Sequence, residues 1–298
     1  MTIIECKDVA KSYKRTNALN GLSMTIDENK IVGLVGRNGA GKTTLMKIIA
    51  GFLRETSGEV NVFSKRPFNN LFVSENTIFI DEDMHFPTTL TVADIMKEAG
   101  NFYGNWDGEL AEQLILYFDL DRNQRHKHLS KGQRSTFNMV LGIAARCPLT
   151  ILDEPTNGMD AAVRKDMYRA LLKDYIAYPR TMLLSSHHLE EIEDILEEVV
   201  LMDDGEKSLH MSMEDLQDTT IGFTGKEDLV YPWLIHRDIL YAKKVGPKNV
   251  YVVARNDFST AELQKMKQAG IHLFPISASD ACVYLTAKTT GGIDDVFD

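Results

Sequence analysis

The segment IVGLVGRNGAGKTTL, residues 31–45, decides the fold of this chain. An apolar, β-branched run ends in a glycine-rich loop, and the following TTLMKIIAGFL has apolar residues at helical spacing. This order predicts a buried strand, a loop and a helix. Residues Gly36 to Thr43 also match the phosphate-loop pattern G-x-x-x-x-G-K-[ST], which needs a strand before it and a helix after it. We therefore predict a nucleoside triphosphate site at the start of this helix.

The chemistry of the phosphate loop assigns roles to its residues. Glycines let backbone N–H groups converge on phosphate oxygens, and the N-terminus of the helix adds partial positive charge. We expect Lys42 to reach the outer phosphates and Thr43 to bind Mg²⁺ through its hydroxyl group. The predicted nucleotide contacts in this loop are Gly36, Asn38, Gly39, Ala40, Gly41, Lys42, Thr43 and Thr44.

A second acidic element follows another apolar run, in LTILDE. Asp153 is expected to hold Mg²⁺, as the acidic residue after this strand does in phosphate-loop enzymes. Glu154 comes next and is placed to accept a proton from an attacking water. An Asp-Glu pair after a strand is weak evidence by itself, but behind a phosphate loop it indicates nucleotide hydrolysis.

The rest of the first two thirds of the chain alternates between strands and helices, which favours an α/β fold with a largely parallel sheet. Buried strands are predicted at TILDEP (150–155), TMLLSS (181–186) and EEVVLMD (197–203), the last closed by a turn at Asp204-Gly205. The N-terminal MTIIECKDVAKSY predicts a short strand that runs into a loop. Residues 88–146 lack a strong strand pattern, which indicates a helical insertion.

The C-terminal residues 219–298 predict a small separate α+β domain. NVYVVAR (249–255) and IHLFPIS (271–277) have strand patterns. Ser259 and Glu262 have the spacing of a capping box for a helix that Gly270 ends. A short helix is predicted near 280–287, and the tail ends in TTGGIDDVFD. The domain is either a packing appendage or a second dimer contact.

Composition excludes several classes of protein. The chain has 298 residues, 44% of them hydrophobic, and a net charge of −10. The negative charge argues against nucleic-acid binding, because such affinity comes from neutralised phosphates. No apolar stretch reaches the roughly 20 residues of a membrane helix, and no signal sequence is recognised. The three scattered cysteines suggest neither a disulfide framework nor a metal site.

Four motifs together resemble a known family. GRNGAGKTT, LSKGQ, LDEPTNGMD and SSHHLEE occur in the order and at the separations of the ATP-binding subunit of an ABC transporter, over about residues 1–215. The resemblance implies a P-loop NTPase core with antiparallel β and helical subdomains. The segment LSKGQ, residues 129–133, is a short polar loop before a run that predicts a helix. The resemblance also implies that two cassettes bind two ATP molecules head to tail, so that this signature segment covers the partner's nucleotide. Ser130, Gly132 and Gln133 are then nucleotide contacts in trans.

The same resemblance assigns three further positions. Tyr13, in KSYKRTNAL, matches the aromatic residue that stacks on adenine. His187 matches the histidine that contacts the γ-phosphate, and His188 is its neighbouring competitor. Asp160, in NGMD, matches the loop that runs across the dimer interface.

Two departures from the family pattern concern the site. The family has a glutamine that binds Mg²⁺ at the loop facing the membrane subunit, but FIDEDMHFPTTLTV contains no glutamine. Counting back from LTV places Glu82 there as a metal ligand, with Asp81 as the alternative. The other departure is Lys131, where the family's LSGGQ has glycine. A lysine near the partner's phosphates could add attraction.

The departures and the C-terminal domain resemble a bacterial subgroup that exports antibiotics or antimicrobial peptides. We therefore expect an ATP hydrolase that acts as a homodimer with Mg²⁺, on integral membrane subunits at the inner face of the cell membrane. A soluble ABC ATPase without a transporter is the first alternative, and a regulatory module that binds ATP with little turnover is the second. The subgroup resemblance favours export over import, and the substrate is expected to be carried by the membrane subunits.

Overall fold

The computed structural model of the chain describes residues 1–14 and 16–286. These residues form two compact units, the first of Met1–His210 and the second beginning at Met211. The sequence predicted this boundary at 215–219. None of the helices in the described ranges is both long enough and apolar enough to cross a membrane.

The first unit contains the elements that carry the predicted motifs. In chain order they are β1 (Thr2–Tyr13), β2 (Thr16–Asp27), β3 (Ile31–Val35), α1 (Lys42–Ile49), β4 (Ser57–Val62), α2 (Leu71–Glu75), β5 (Thr77–Ile80), α3 (Val92–Phe102), α4 (Gly108–Tyr117), α5 (Lys131–Ala144), β6 (Leu149–Asp153), α6 (Ala161–Ala177), β7 (Thr181–Ser186), β8 (Glu198–Asp203) and β9 (Glu206–Ser212).

A six-stranded sheet in the order β5-β6-β7-β3-β8-β9 forms the centre of this unit. The pairs from β5 to β8 are parallel. β3, β6 and β7 are buried along their whole length, as the sequence predicted from their uninterrupted apolar runs. Because the strands are parallel, the phosphate loop after β3 and the polar residues ending β6 and β7 meet at one edge of the sheet.

A three-stranded antiparallel sheet in the order β2-β1-β4 lies at the N-terminal end of the chain. Here the prediction of a short strand running into a loop was wrong. β1 has 12 residues, because it pairs with β2 along one side and β4 along the other. The helix α1 is shorter than the predicted TTLMKIIAGFL. It ends at Ile49, and the left-handed Gly51 (φ 81°) turns the chain away.

The predicted helical insertion contains α3, α4 and α5, with a short 3₁₀ turn at His126–His128. The signature segment was expected to be a polar loop before a helix, but its last three residues form the first turn of α5. Ser130 is the N-cap: its hydroxyl accepts from the Gln133 N–H, and the Gln133 side chain accepts from the Ser130 N–H. This capping box satisfies two backbone donors that a loop would leave to water.

A buried ion cluster joins the end of α5 to α6. The guanidinium of Arg146 pairs with Asp107, which caps α4, and with Asp174 in α6, at 2.8 and 2.7 Å. Arg180 pairs with the other oxygen of Asp174 at 2.8 Å. Removing Asp174 would leave two poorly compensated cations, a loss of about 3–5 kcal/mol. The helical insertion is therefore fixed to α6 at the Arg146 end of α5.

The second unit is a split βαβ arrangement. Its elements are α7 (Met213–Thr219), β10 (Thr220–Lys226), α8 (Glu227–Leu234), β11 (Ile239–Val245), β12 (Asn249–Arg255), α9 (Thr260–Gln268), β13 (His272–Pro275) and α10 (Ala278–Thr286). The four strands form an antiparallel sheet in the order β11-β12-β10-β13.

Several predictions for this unit match the structure. β12 spans the predicted 249–255, and Ser259 and Glu262 form the predicted capping box at the start of α9. β13 is shorter than the predicted 271–277. The core of the unit lies between the sheet and its helices, and includes Phe223, Val252 and Met266. Position 287 and the ending TTGGIDDVFD lie outside the described residues.

Candidate nucleotide site

The phosphate loop depends on two glycines with left-handed backbone angles. Gly39 and Gly41 have φ values of 88° and 98°, which side chains other than glycine rarely adopt. A Cβ atom on Gly41 would also lie 2.4 Å from the Ala18 carbonyl oxygen. The N–H of Gly205 donates to the carbonyl of Ala40 at 3.2 Å, so the β8–β9 turn supports the loop. The sequence therefore folds here into a tight loop that opens α1.

Lys42 is buried at the start of α1 and points back into the loop. Its Nζ donates to the Gly36 carbonyl at 2.7 Å and lies 3.6 Å from Oε1 of Glu154. The next residue, Thr43, is exposed on the first turn of the helix. The loop thus presents an ammonium group, a hydroxyl group and the helix N-terminus on the same side of the sheet.

Ser185, at the end of β7, organises the two acidic residues that follow β6. Its hydroxyl donates to Oδ1 of Asp153 at 2.5 Å and accepts from the N–H of Glu154 at 2.8 Å. Glu154 has a φ of 47°, an uncommon value for a residue with a long side chain. This strained backbone turns Glu154 out of the strand direction while Asp153 remains buried at the sheet edge.

The carboxylate of Glu154 lies between two cationic or potentially cationic groups. Oε2 lies 2.8 Å from Nδ1 of His187, and Oε1 is buried, has no hydrogen-bond partner and faces Lys42. The ring of His188 lies 4.0 Å from that of His187, and its backbone is held by the Ser186 hydroxyl. Of the two histidines, His187 is placed on the carboxylate.

The signature segment packs on the turn after β6. A Cβ atom on Gly132 would lie 2.7 Å from the Gly158 carbonyl oxygen, so glycine is required for this close approach. Ser135 donates to the carbonyl of Asn157 at 2.7 Å. Asp160, at the end of this turn, caps α6 by accepting from the N–H groups of Ala162 and Val163. Ser130, Gly132, Gln133 and Asp160 therefore form one group that is separate from the phosphate loop.

Tyr13 lies at the end of β1, with 46% of its surface exposed. The ammonium group of Lys11 is 5.3 Å from the centre of its ring. The ring is thus available for stacking, although its contact with adenine stays a prediction.

Glu82 and Asp81 point to different places. The carboxylate of Glu82 lies 2.6 Å from Nζ of Lys131 and accepts from Nδ2 of Asn157 at 2.7 Å. The hydrogen bond with Lys131 lowers the pKa of Glu82 below its ordinary value. Asp81 instead pairs with Lys47 of α1 at 3.3 Å. Glu82 therefore lies at the signature segment, and its predicted role as a metal ligand stays a prediction.

Sequence reasoning missed two residues of the site. Ser185 joins Asp153 to Glu154, and Asn157 joins the turn after β6 to Glu82. The polar ending of TMLLSS was the available signal for Ser185, since ligand groups gather at strand ends in such sheets. Nothing in the sequence pointed to Asn157.

The donors at the phosphate loop fit Mg²⁺. The hydroxyl of Thr43 and the carboxylate of Asp153 are hard oxygen donors, which this ion prefers. Within 1–14 and 16–286, no group of three or more His, Cys, Asp or Glu side chains is arranged to hold a metal. A small number of protein oxygens is what Mg²⁺ uses when phosphates and water complete its coordination. The residues thus suit an ion that arrives with a nucleotide.

Comparison with known proteins identifies the family of this chain. A family model described as ABC transporter matches residues 19–157. An ABC transporter ATP-binding protein of Bacillus subtilis (strain 168), YdbJ, is 30% identical over 222 residues, covering 73% of this chain and 72% of that protein. The chain belongs to the ABC transporter ATP-binding proteins. This cassette is accordingly an ATP-binding ATPase of the ABC type.

A solved structure described as the ATP binding subunit of an ABC transporter gives a TM-score of 0.63 at 26% identity. The match covers 72% of this chain and 92% of that one. It confirms the predicted α/β cassette fold with its antiparallel and helical parts.

Two other relatives of the cassette have names that specify a cargo. A lantibiotic transport ATP-binding protein of Streptococcus pyogenes is 28% identical over 195 residues, covering 65% of this chain and 83% of that protein. A high-affinity zinc uptake ATP-binding protein of Bacillus subtilis (strain 168) is 28% identical over 223 residues, covering 70% and 94%. Relatives named for different cargoes therefore share this cassette.

Proposed function

We propose that this cassette hydrolyses ATP as one of a pair of identical subunits and thereby drives an ABC exporter. The observation that carries the proposal is the meeting of Lys42, Asp153, Glu154 and His187 at one edge of the sheet. These groups match the demands of phosphoryl transfer, which needs charge neutralisation, a bound metal ion and a positioned nucleophile.

In the proposed complex, the phosphate loop binds the triphosphate of ATP and Tyr13 stacks on adenine. Backbone N–H groups from Gly36 to Thr44, including those of Asn38, Gly39 and Ala40, surround the phosphate oxygens, and Lys42 moves from Glu154 to the outer phosphates. Thr43 and Asp153 would hold Mg²⁺, which would supply neutralisation of phosphate charge. The sequence alone assigned a third metal ligand to Glu82, with Asp81 as the alternative, but in the structure the two carboxylates pair with Lys131 and Lys47.

Hydrolysis then uses the carboxylate that Lys42 has left. Glu154 accepts a proton from a water whose oxygen attacks the γ-phosphorus, and the bond from that phosphorus to the bridging oxygen of ADP breaks. His187 holds the γ-phosphate in line and keeps Glu154 oriented through its 2.8 Å contact. The left-handed backbone of Glu154 and the bond from its N–H to Ser185 support this role, because both fix the backbone of Glu154 before ATP arrives.

The second subunit is needed because the remaining predicted contacts lie away from the phosphate loop. Ser130, Gly132, Gln133 and Asp160 form a capped, tightly packed surface that suits the nucleotide of another cassette. The N-terminus of α5 there is electropositive, which favours a γ-phosphate. Two ATP molecules would stabilise the pair by mass action.

An apolar hollow supports docking of a membrane subunit at the loop after β5. It has a volume of about 180 Å³ and is lined by side chains that include Met84, Phe86, Leu90 and Tyr103. Phe52, with 64% of its surface exposed, stacks edge-on against Phe79 of β5. Docking of a membrane subunit at this hollow would put the cassette at the inner face of the membrane. Export rests on the subgroup resemblance and on the relative named for lantibiotic transport.

The C-terminal residues 219–298 are proposed to act as an accessory contact between the two subunits. Their split βαβ arrangement has its own core, which supports a separate domain. Binding of nucleic acid is not proposed, given the net charge of −10.

The test is the mass in solution of the Glu154→Gln variant with and without ATP and Mg²⁺. We expect ATP-dependent doubling, because blocked hydrolysis traps the pair. Ser130→Phe should abolish the doubling, and Thr91→Phe, which alters the matched capping box of α3, should not. A variant that binds ATP yet stays monomeric would contradict the homodimer, and unchanged phosphate release by Glu154→Gln would contradict the role of Glu154.

A further inference from the structure

Both oxygens of the Glu82 carboxylate are engaged. Oε1 lies 2.6 Å from the ammonium of Lys131, and Oε2 accepts from the amide of Asn157 at 2.7 Å. These partners belong to different elements, the first turn of α5 and the turn after β6. Glu82 therefore joins the loop after β5 to the two segments that form the proposed trans contact.

Lys131 needs such a partner for an electrostatic reason. It is the first residue of α5, where the helix dipole is positive and disfavours a cation. The carboxylate of Glu82 supplies the anion that this end of the helix favours. The aliphatic part of the Lys131 side chain also packs over Gly158. A Cβ atom on Gly158 would lie 2.9 Å from Cγ of Lys131. The charge and the stem of Lys131 are thus both fixed.

The neighbouring carboxylate forms the matching contact on the other side. Asp81 directly follows Ile80 of β5 and pairs with Lys47 in α1, the helix that the phosphate loop opens. Lys47 and Lys131 lie on the two helices that would meet, respectively, the chain's own nucleotide and the partner's nucleotide. Two consecutive acidic residues therefore connect these helices through one peptide bond.

We propose that Asp81 and Glu82 are positioning residues that couple α1 to the signature segment through Lys47 and Lys131. This inference rests on the proposed function. Glu82 and Lys131 are the two departures from the family pattern, and each neutralises the charge that the other introduces. Glu82 holds the signature segment in the orientation that meets the partner's ATP, and it does not bind Mg²⁺.

The first test needs no nucleotide. Hydrogen exchange at the backbone amides of residues 131–135 is measured for the wild-type chain, Glu82→Gln, Lys131→Met and the double variant. Methionine keeps an unbranched stem over Gly158 and removes only the charge. We expect exchange about threefold faster in all three variants, without further increase in the double variant, because an exposed ion pair contributes at most about a factor of five. Unchanged exchange would overturn the proposal.

The control is Glu112→Gln. Glu112 pairs with Arg122 at 2.8 Å and has an exposure similar to that of Glu82. Glu112→Gln should leave exchange at residues 131–135 unchanged. Faster exchange in this control would show that the effect comes from loss of any surface charge.

The second test measures ATP hydrolysis as a function of ATP and of Mg²⁺ concentration. We expect Glu82→Gln, Lys131→Met and the double variant each to raise the half-saturating ATP concentration about threefold, with kcat within twofold and the Mg²⁺ dependence unchanged. Lys131→Arg should restore the wild-type value. A raised Mg²⁺ requirement in Glu82→Gln alone, or additive effects in the double variant, would instead support a metal ligand. Absence of hydrolysis in the wild-type chain would contradict the proposed function and leave the exchange result to decide the coupling.

Discussion

Two groups of predicted nucleotide contacts differ in how their side chains are used. At the phosphate loop, Lys42 and His187 both contact Glu154, so one chain brings these three side chains together. At the signature segment, the Ser130 hydroxyl and the Asp160 carboxylate serve as helix caps. We call these the inner group and the outer group.

The difference shows that different kinds of contact hold the two groups in place. The inner group is held by contacts that ATP rearranges under the proposed function, in which Lys42 leaves Glu154. The outer group is held by caps and glycine packing, which the proposed function leaves intact. Changes in the inner group should therefore affect turnover, and changes in the outer group should affect stability and pairing.

The largest effect is expected for His187→Ala. Loss of the group on the Glu154 carboxylate should reduce kcat by about 10²–10³-fold, the range of a positioned acid–base contact. Phosphate release at saturating ATP measures this. His188→Ala is the control and should change kcat by less than about threefold. An equal loss in both variants would remove the distinction between the two histidines.

Ser185→Ala comes next. It deletes the hydroxyl that bonds both Asp153 and the Glu154 N–H, and we expect turnover about 10- to 100-fold lower, the cost of buried polar groups left without a partner. Steady-state kinetics should show the loss mainly in kcat. Ser186→Ala, which alters only the contact with the His188 backbone, should retain activity. A normal kcat for Ser185→Ala would show that the acidic pair is fixed by its backbone alone.

Tyr13→Ala tests a contact that belongs to neither group. Loss of base stacking should raise the half-saturating ATP concentration about tenfold at unchanged kcat. Tyr13→Phe keeps the ring and should stay within about twofold of the wild-type chain. If the alanine variant binds ATP normally, adenine lies elsewhere.

The smallest effect is expected for Ser130→Ala in the outer group. Both Ser130→Ala and Ser259→Ala should lower the free energy of unfolding by about 1 kcal/mol, since each removes a capping hydroxyl. Only Ser130→Ala should also reduce turnover, by about fivefold, through the lost bond to the partner's nucleotide. Chemical denaturation and phosphate release separate the two outcomes. Equal activity in both variants would show that the Ser130 hydroxyl caps α5 and does not contact the partner's nucleotide.

Much of this organisation was accessible from the sequence. The phosphate-loop pattern, the buried runs of β6 and β7 and the capping box at Ser259 are local signals, and each matches an observed element. The family resemblance then selected His187 from two adjacent histidines.

What the sequence missed depends on contacts between distant segments. Its patterns did not reveal the full length of β1, because that length comes from pairing with β2 from Thr2 to Tyr13. They also could not place Glu82, whose partner Asn157 is 75 positions away. Lys131 was expected in a loop, because the serine before it is both a turn former and a helix cap. Single-sequence periodicity contains no information on such partners.

The ion cluster around Arg146 has a mechanical consequence. Helix α5 has 14 residues and is thus about 21 Å long, with one end pinned by Arg146 to Asp107 and Asp174. The other end bears the signature segment. A rotation of about 10° around the pinned end would carry that segment about 4 Å, the scale of a lost or gained phosphate contact. Any small rotation of α5 about its Arg146 end would therefore displace the signature segment, at the other end of the helix, more than any other part of α5.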